Sequence, residues 1–76
     1  MKGENIMEVK ENDVLFFDSE NGLTYKVEVV NINDYREPSM KYAIDLIDGN
    51  GRRFSDAYGD VKFVGQDFID KCRKEL

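Results

Sequence analysis

Apolar and polar side chains alternate along several short segments of this chain, which is the pattern of a half-buried β-strand. The clearest case is residues 24–29, and a second case covers residues 41–46. The apolar positions are Tyr25, Val27 and Val29 in the first segment and Tyr42, Ile44 and Leu46 in the second. Both segments are therefore predicted strands, each with one face in a core.

The neighbouring segments predict that these strands belong to an antiparallel sheet. Residues 13–17 are apolar on both faces, as in a buried strand, and Asn21-Gly22 supplies the positive φ angles of a tight hairpin turn. After Val29 the apolar positions slip by one residue, which predicts a β-bulge at residues 29–30. The first two strands are thus expected to pair directly, and the second is expected to bend.

Beyond the third strand, the pattern predicts a fourth strand and a closing helix. The fourth strand is expected to begin at residues 52–54, to break over residues 55–59 and to resume over residues 61–64. After Gly65 the apolar period changes to about 3.6 residues, which predicts a terminal helix with Asp67 as its N-terminal cap. The apolar face of this helix consists of Phe68, Ile69, Cys72 and Leu76.

Four to five short antiparallel strands with one C-terminal helix define a mainly β domain. The strand spacing over residues 12–65 resembles the architecture of a small SH3 or Tudor barrel, although no motif assigns the chain to a named family. The alternative is an α+β arrangement with the helix across one face of the sheet. Residues 1–76 are expected to form one domain, in which residues 1–11 are a flexible lead-in or a first strand.

Charge is unevenly distributed along the chain. The formal net charge is −5, and residues 1–20 carry six acids but only two lysines. Such an excess of acids repels a phosphate backbone and attracts a basic surface. Nucleic acid is therefore an unlikely partner on this prediction, and a protein with a basic or mixed-charge surface is the expected one.

The composition argues against catalysis and metal binding. The chain has no histidine to activate a nucleophile, and Cys72, the single cysteine, falls on the apolar helix face, where a structural thiol is expected. Residues 48–59 match a calcium loop only at their start, because Arg53 and Gly59 stand where glycine and glutamate are needed. We predict no catalytic residue, metal ligand or cofactor, no membrane segment and a cytoplasmic location.

Large amphipathic side chains in the predicted loops are the candidates for binding. Residues 33–40 form the longest loop, and residues 55–60 form a second irregular stretch. The basic dipeptide at 52–53, with residues 71–74 as possible neighbours in space, either receives an acidic group of a partner or balances surface charge. The partner-binding candidates are Tyr35, Arg36, Met40, Arg52, Arg53 and Tyr58.

These observations predict a non-catalytic protein-interaction module that binds a partner through its loops. Two alternatives stay open. The first is an acidic inhibitor of the phage type that imitates nucleic acid, which requires two rows of acids with a spacing of about 6 to 7 Å along each row. The second is a small-ligand binder, which requires an apolar pocket of roughly 300 Å³.

Overall fold

The computed structural model describes residues 6–75 as four antiparallel strands in one open sheet, together with two short helices. The elements are β1 (Val14–Asp18), β2 (Thr24–Ile32), β3 (Tyr42–Ile47), α1 (Phe54–Tyr58), β4 (Lys62–Val64) and α2 (Gln66–Asp70), with a 3-10 turn at Pro38–Met40. The strands pair in the order β1-β2-β3-β4. The mainly β class is confirmed, but within residues 6–75 the sheet does not close into the expected barrel.

The first hairpin and the bulge lie where the sequence places them. Gly22 adopts a φ of 87° in the β1–β2 turn, a conformation that suits glycine. The register between β2 and β3 shifts between Val29 and Asn31, which confirms the bulge predicted at residues 29–30. The extra residue lets both Val29 and Ile32 face the core, the first opposite a buried isoleucine and the second opposite a buried tyrosine.

One face of the sheet packs against α2 and against the segment before β1. The largest fully buried side chains are Leu15, Val27, Val29, Ile44 and Ile69. Met7 and Val9 pack against this core, so residues 6–11 are a packed lead-in and not a strand, while residues 1–5 lie outside the described residues. Cys72 is also buried, and desolvation raises the pKa of its thiol to about 11, as suits a structural thiol.

Two expectations for the C-terminal half are wrong. Residues 52–54 contribute a single bridge, between Arg53 and Ile47, and Phe54–Tyr58 forms the helix α1 where an irregular break was expected over residues 55–59. The terminal helix ends at Asp70, and its N-cap is Gly65 and not Asp67. Helices of five residues are too short to be stable alone, so both depend on their packing against the sheet.

After α2 the chain runs along the free edge of β1. The amide of Phe16 donates to the carbonyl of Arg73 at 2.7 Å, and the amide of Arg73 donates back at 2.8 Å. This reciprocal pair forms an isolated antiparallel bridge. Residues 72–75, which we call the tail, thus connect the end of the described chain to its first strand.

We predict that the core depends on Ile69, because it is the buried side chain that α2 contributes. Ile69→Ala should lower the free energy of unfolding by about 2–5 kcal/mol, measured by chemical denaturation. Lys71→Ala, an exposed change just after the same helix, is the control and should cost less than about 0.5 kcal/mol. An equal loss of unfolding free energy in the two variants would contradict the role of α2 in covering the core.

Candidate functional site

The structure separates the six candidate residues into two groups. One group lies in the loop that joins β2 to β3, and the other lies around α1, which follows the turn at the opposite end of β3. Because β3 has six residues, the two ends of the strand are about 20 Å apart. The first group is Tyr35, Arg36 and Met40, and the second is Arg52, Arg53 and Tyr58.

Arg36 holds the β2–β3 loop together. Its Nε donates to the carbonyl of Met40 at 2.7 Å, and its Nη2 donates to the carbonyl of Lys41 at 2.9 Å and to Oδ1 of Asn31 at 3.1 Å. The guanidinium also lies 5.1 Å from the ring centroid of Phe63. The planar donor set is therefore used within the chain, and Arg36 acts as a structural residue of this loop.

Tyr35 and Met40 are the large side chains that this loop leaves to solvent. The side chain of Tyr35 is almost completely exposed, at 99%, while Met40 is about half exposed. The backbone amide of Tyr35 donates to Oδ1 of Asn33 at 2.9 Å, and this local turn sets the direction of the chain at the tyrosine. Of the first group, these two residues supply free contact area.

A buried carboxylate organises the second group. Asp45 on β3 accepts hydrogen bonds from the amide of Ser55 at 2.9 Å and from its hydroxyl at 2.7 Å. Nη1 of Arg53 donates to the same carboxylate at 3.2 Å and to Glu28 at 2.6 Å. Desolvation opposes ionisation of Asp45, but the hydrogen bonds from Ser55 and Arg53 outweigh it and lower its pKa. Asp45 therefore fixes the first turn of α1 to β3.

An open groove of about 410 Å³ lies beside α1. The rings of Phe54 and Tyr58 stack with their centroids 4.5 Å apart, and Nζ of Lys62 lies 5.7 Å from the centroid of Phe54. Tyr58 is 73% exposed although it contacts a second ring. The apolar lining of this α1 groove is Tyr25, Leu46, Phe54, Ala57 and Tyr58, and its polar lining is Asp48, Arg52 and Arg53.

The two neighbouring arginines have different surroundings. Arg53 forms ion pairs with Glu28 and Asp45, so its charge is neutralised within the chain. The side chain of Arg52 is exposed and makes no hydrogen bond or ion pair within residues 6–75. The larger basic cluster is not formed, because Arg73 lies at the β1 edge, with β1, β2 and β3 between it and Arg53. Arg52 is therefore the candidate cation of the α1 groove.

Four acidic side chains form ion pairs within residues 6–75. Ion pairs join Asp18 to Arg73, Glu28 and Asp45 to Arg53, and Asp34 to Lys41. In the described part, no group of three or more acids or thiols is arranged to hold a metal ion, and no helix could span a bilayer. These four carboxylates hold neighbouring segments of the chain together, and imitation of nucleic acid stays a prediction.

Compared with models of known protein families, with curated proteins and with solved structures, the chain matches none.

Sequence reasoning missed Asp45, Ser55 and Phe54 as parts of the site. Asp45 occupies a polar position in an alternating strand, which indicated a solvent-facing side chain. Its partner Ser55 lies ten residues further along, beyond the range of local capping patterns. The one local signal was the pair of aromatic residues at 54 and 58, whose spacing places them on one helix face.

We predict that Asp45→Asn lowers the free energy of unfolding at pH 7 by about 1–3 kcal/mol, because the amide keeps only one of the two acceptor oxygens, replaces the other with an NH2 donor and removes the charge that pairs with Arg53. The folded-state pKa of Asp45 lies below its unfolded value of about 4. The stabilisation of the fold by ionised Asp45 is therefore complete above the unfolded pKa and is lost as the pH falls through the folded pKa.

Urea titrations at pH 7 and pH 3 measure this effect, and the penalty of Asp45→Asn should be smaller at pH 3. Asp56→Asn removes the same charge from an exposed position in α1 and is the matched control. An equal penalty for Asp45→Asn at the two pH values would contradict the assigned role of the ionised carboxylate.

Proposed function

We propose that this chain is a non-catalytic protein-interaction domain that binds its partner through the α1 groove. The observation that supports the proposal is the exposed, stacked Tyr58 beside an unpaired Arg52 on one concave surface. Tyrosine and arginine are enriched among the residues that dominate binding energy at protein interfaces. Tyr35, at the other end of β3, lies outside this surface.

The stacking of Phe54 and Tyr58 favours binding because it reduces the freedom of Tyr58 before a partner arrives. A side chain that is already ordered loses less entropy when it enters an interface. The hydrogen bonds from Ser55 to Asp45 also favour binding, because they hold α1 and its two rings at a fixed position on the sheet. The groove is thus pre-organised for contact.

The charges around the groove suit a partner with a mixed-charge surface. Arg52 is available to an acidic group, while Asp48 in the lining and the net charge of −5 favour basic groups. A uniformly acidic partner would be repelled by the chain as a whole, and a uniformly basic one would leave Arg52 unpaired. A contact segment that combines acidic, basic and apolar side chains fits best.

A small ligand is the second candidate, because the volume of about 410 Å³ lies within the range of ligand sites. The groove is open to solvent, which suits a protein segment better than a molecule that must be enclosed. The capture experiment below distinguishes the two, because a small-molecule site would recover no protein dependent on the groove.

We expect the double variant Arg52→Ala/Tyr58→Ala to lose partner recovery in affinity capture followed by quantitative mass spectrometry. Truncating a central tyrosine or arginine costs about 2 kcal/mol or more at such sites, so recovery should fall by about 30-fold. Both side chains are exposed, so the melting temperature should stay close to that of the unchanged chain.

Tyr35→Ala is the matched control, since it removes an exposed tyrosine outside the groove. Arg36→Ala and Arg53→Ala are unsuitable controls because both side chains hold the fold together. Recovery that is the same for the double variant and for the unchanged chain would exclude the α1 groove as the contact surface.

A further inference from the structure

The free edge of β1 carries a second surface, which is separate from the α1 groove. Phe16 exchanges both of its backbone hydrogen bonds with Arg73. In antiparallel pairing, the two backbone groups of a residue point to the same side of its strand. The backbone groups of Phe16, and those of Val14 and Asp18 two residues away on either side, therefore point away from β2. Of these three outward positions, the tail bridges only Phe16.

The tail is fastened to this edge by one arginine. Nε and Nη2 of Arg73 donate to the two carboxylate oxygens of Asp18 at 2.8 and 2.9 Å, a two-point contact that also fixes orientation. The guanidinium lies 6.0 Å from the ring centroid of Phe16. The hydrogen bonds from Arg73 lower the pKa of Asp18 to about 2, so the pair stays ionised at neutral pH.

We propose that the β1 edge is a pairing surface for β1 of a second copy of this chain, and that the tail blocks it through Arg73 and Asp18. An uncovered edge strand presents backbone groups that pair readily with another chain. The outward backbone positions lie on a short apolar strand of sequence VLFFD, whose composition favours strand pairing. The proposal does not depend on the groove, because no groove residue belongs to β1 or to the tail.

The charges and the symmetry of β1 favour a second copy as the occupant. A two-fold axis at Phe16 places each phenylalanine opposite its counterpart and each Val14 opposite the partner's aspartate, so identical charges do not face each other. The two aspartates would lie about 14 Å apart along the strands. That separation exceeds the screening length of about 8 Å at physiological salt, so their repulsion is weak.

The test is the mass of the full-length chain by light scattering over a series of concentrations. Arg73→Ala should approach twice the monomer mass of 8.8 kDa at concentrations where the unchanged chain stays monomeric. Lys74→Ala removes the same charge from the tail without touching Phe16 or Asp18 and should behave as the unchanged chain. Asp18→Asn releases the tail by a second route and should associate as Arg73→Ala does.

Two further substitutions of Val14, which is 45% exposed, test the pairing register of the two β1 strands in the proposed dimer. Both are made in the Arg73→Ala background. Val14→Lys places a cation opposite the partner's aspartate and should tighten the dimer, whereas Val14→Asp places two acids opposite each other and should weaken it. The dissociation constants of the two should differ about tenfold or more. Folded Arg73→Ala and Asp18→Asn variants that stay monomeric would overturn the proposal, as would association that Val14→Lys and Val14→Asp change equally.

Discussion

The contact between the carboxylate of Asp45 and the first turn of α1 is the interaction on which the candidate site depends. Within residues 6–75, Asp45 is the one charged or polar residue that is buried. Taking a carboxylate out of water is costly unless hydrogen bonds replace those that it loses, and here Ser55 and Arg53 supply three. In return, a helix too short to persist alone is held on β3, and it carries the two stacked rings of the groove.

Three arginines each hold one irregular segment in place. Arg36 donates to backbone carbonyls of the β2–β3 loop. Arg53 forms ion pairs with two carboxylates at the start of α1, and Arg73 forms an ion pair that holds the tail against β1. The guanidinium suits this task because one rigid group offers several donors in a plane. Arg52 differs because its side chain has no partner within the described chain. Among the arginines of residues 6–75, Arg52 is the one whose guanidinium is not used to hold the fold.

The sheet could be predicted from the sequence because its signals are local. Alternation in β2 and β3, the glycine of the first turn and the slip after Val29 each act over a few residues, and the structure has all of them. The closed barrel could not be tested by such signals, since closure depends on the pairing of β1 with β4, and these strands form the two edges of the sheet.

The site was only partly predictable, because its contacts join distant positions. The structural role of Arg36 could not be predicted, because it depends on the carbonyls of Met40 and Lys41, and a carbonyl has no sequence signature. A helix forms where a break at residues 55–59 was expected, because a side chain on β3 accepts a hydrogen bond from the amide of Ser55. Tyr58 lies in α1 and not in the expected irregular stretch, Arg52 precedes α1 and is not part of a strand, and the meeting of the two side chains in one groove emerges only from the fold.

Amide hydrogen exchange of α1 in the Asp45→Asn variant tests most directly whether this carboxylate builds the site. If the account is correct, the amides of residues 55–59 will exchange much faster than in the unchanged chain, whereas the amides of α2 will keep their protection. Undiminished protection of residues 55–59 would mean that α1 and its groove form without Asp45, and the account would then be contradicted.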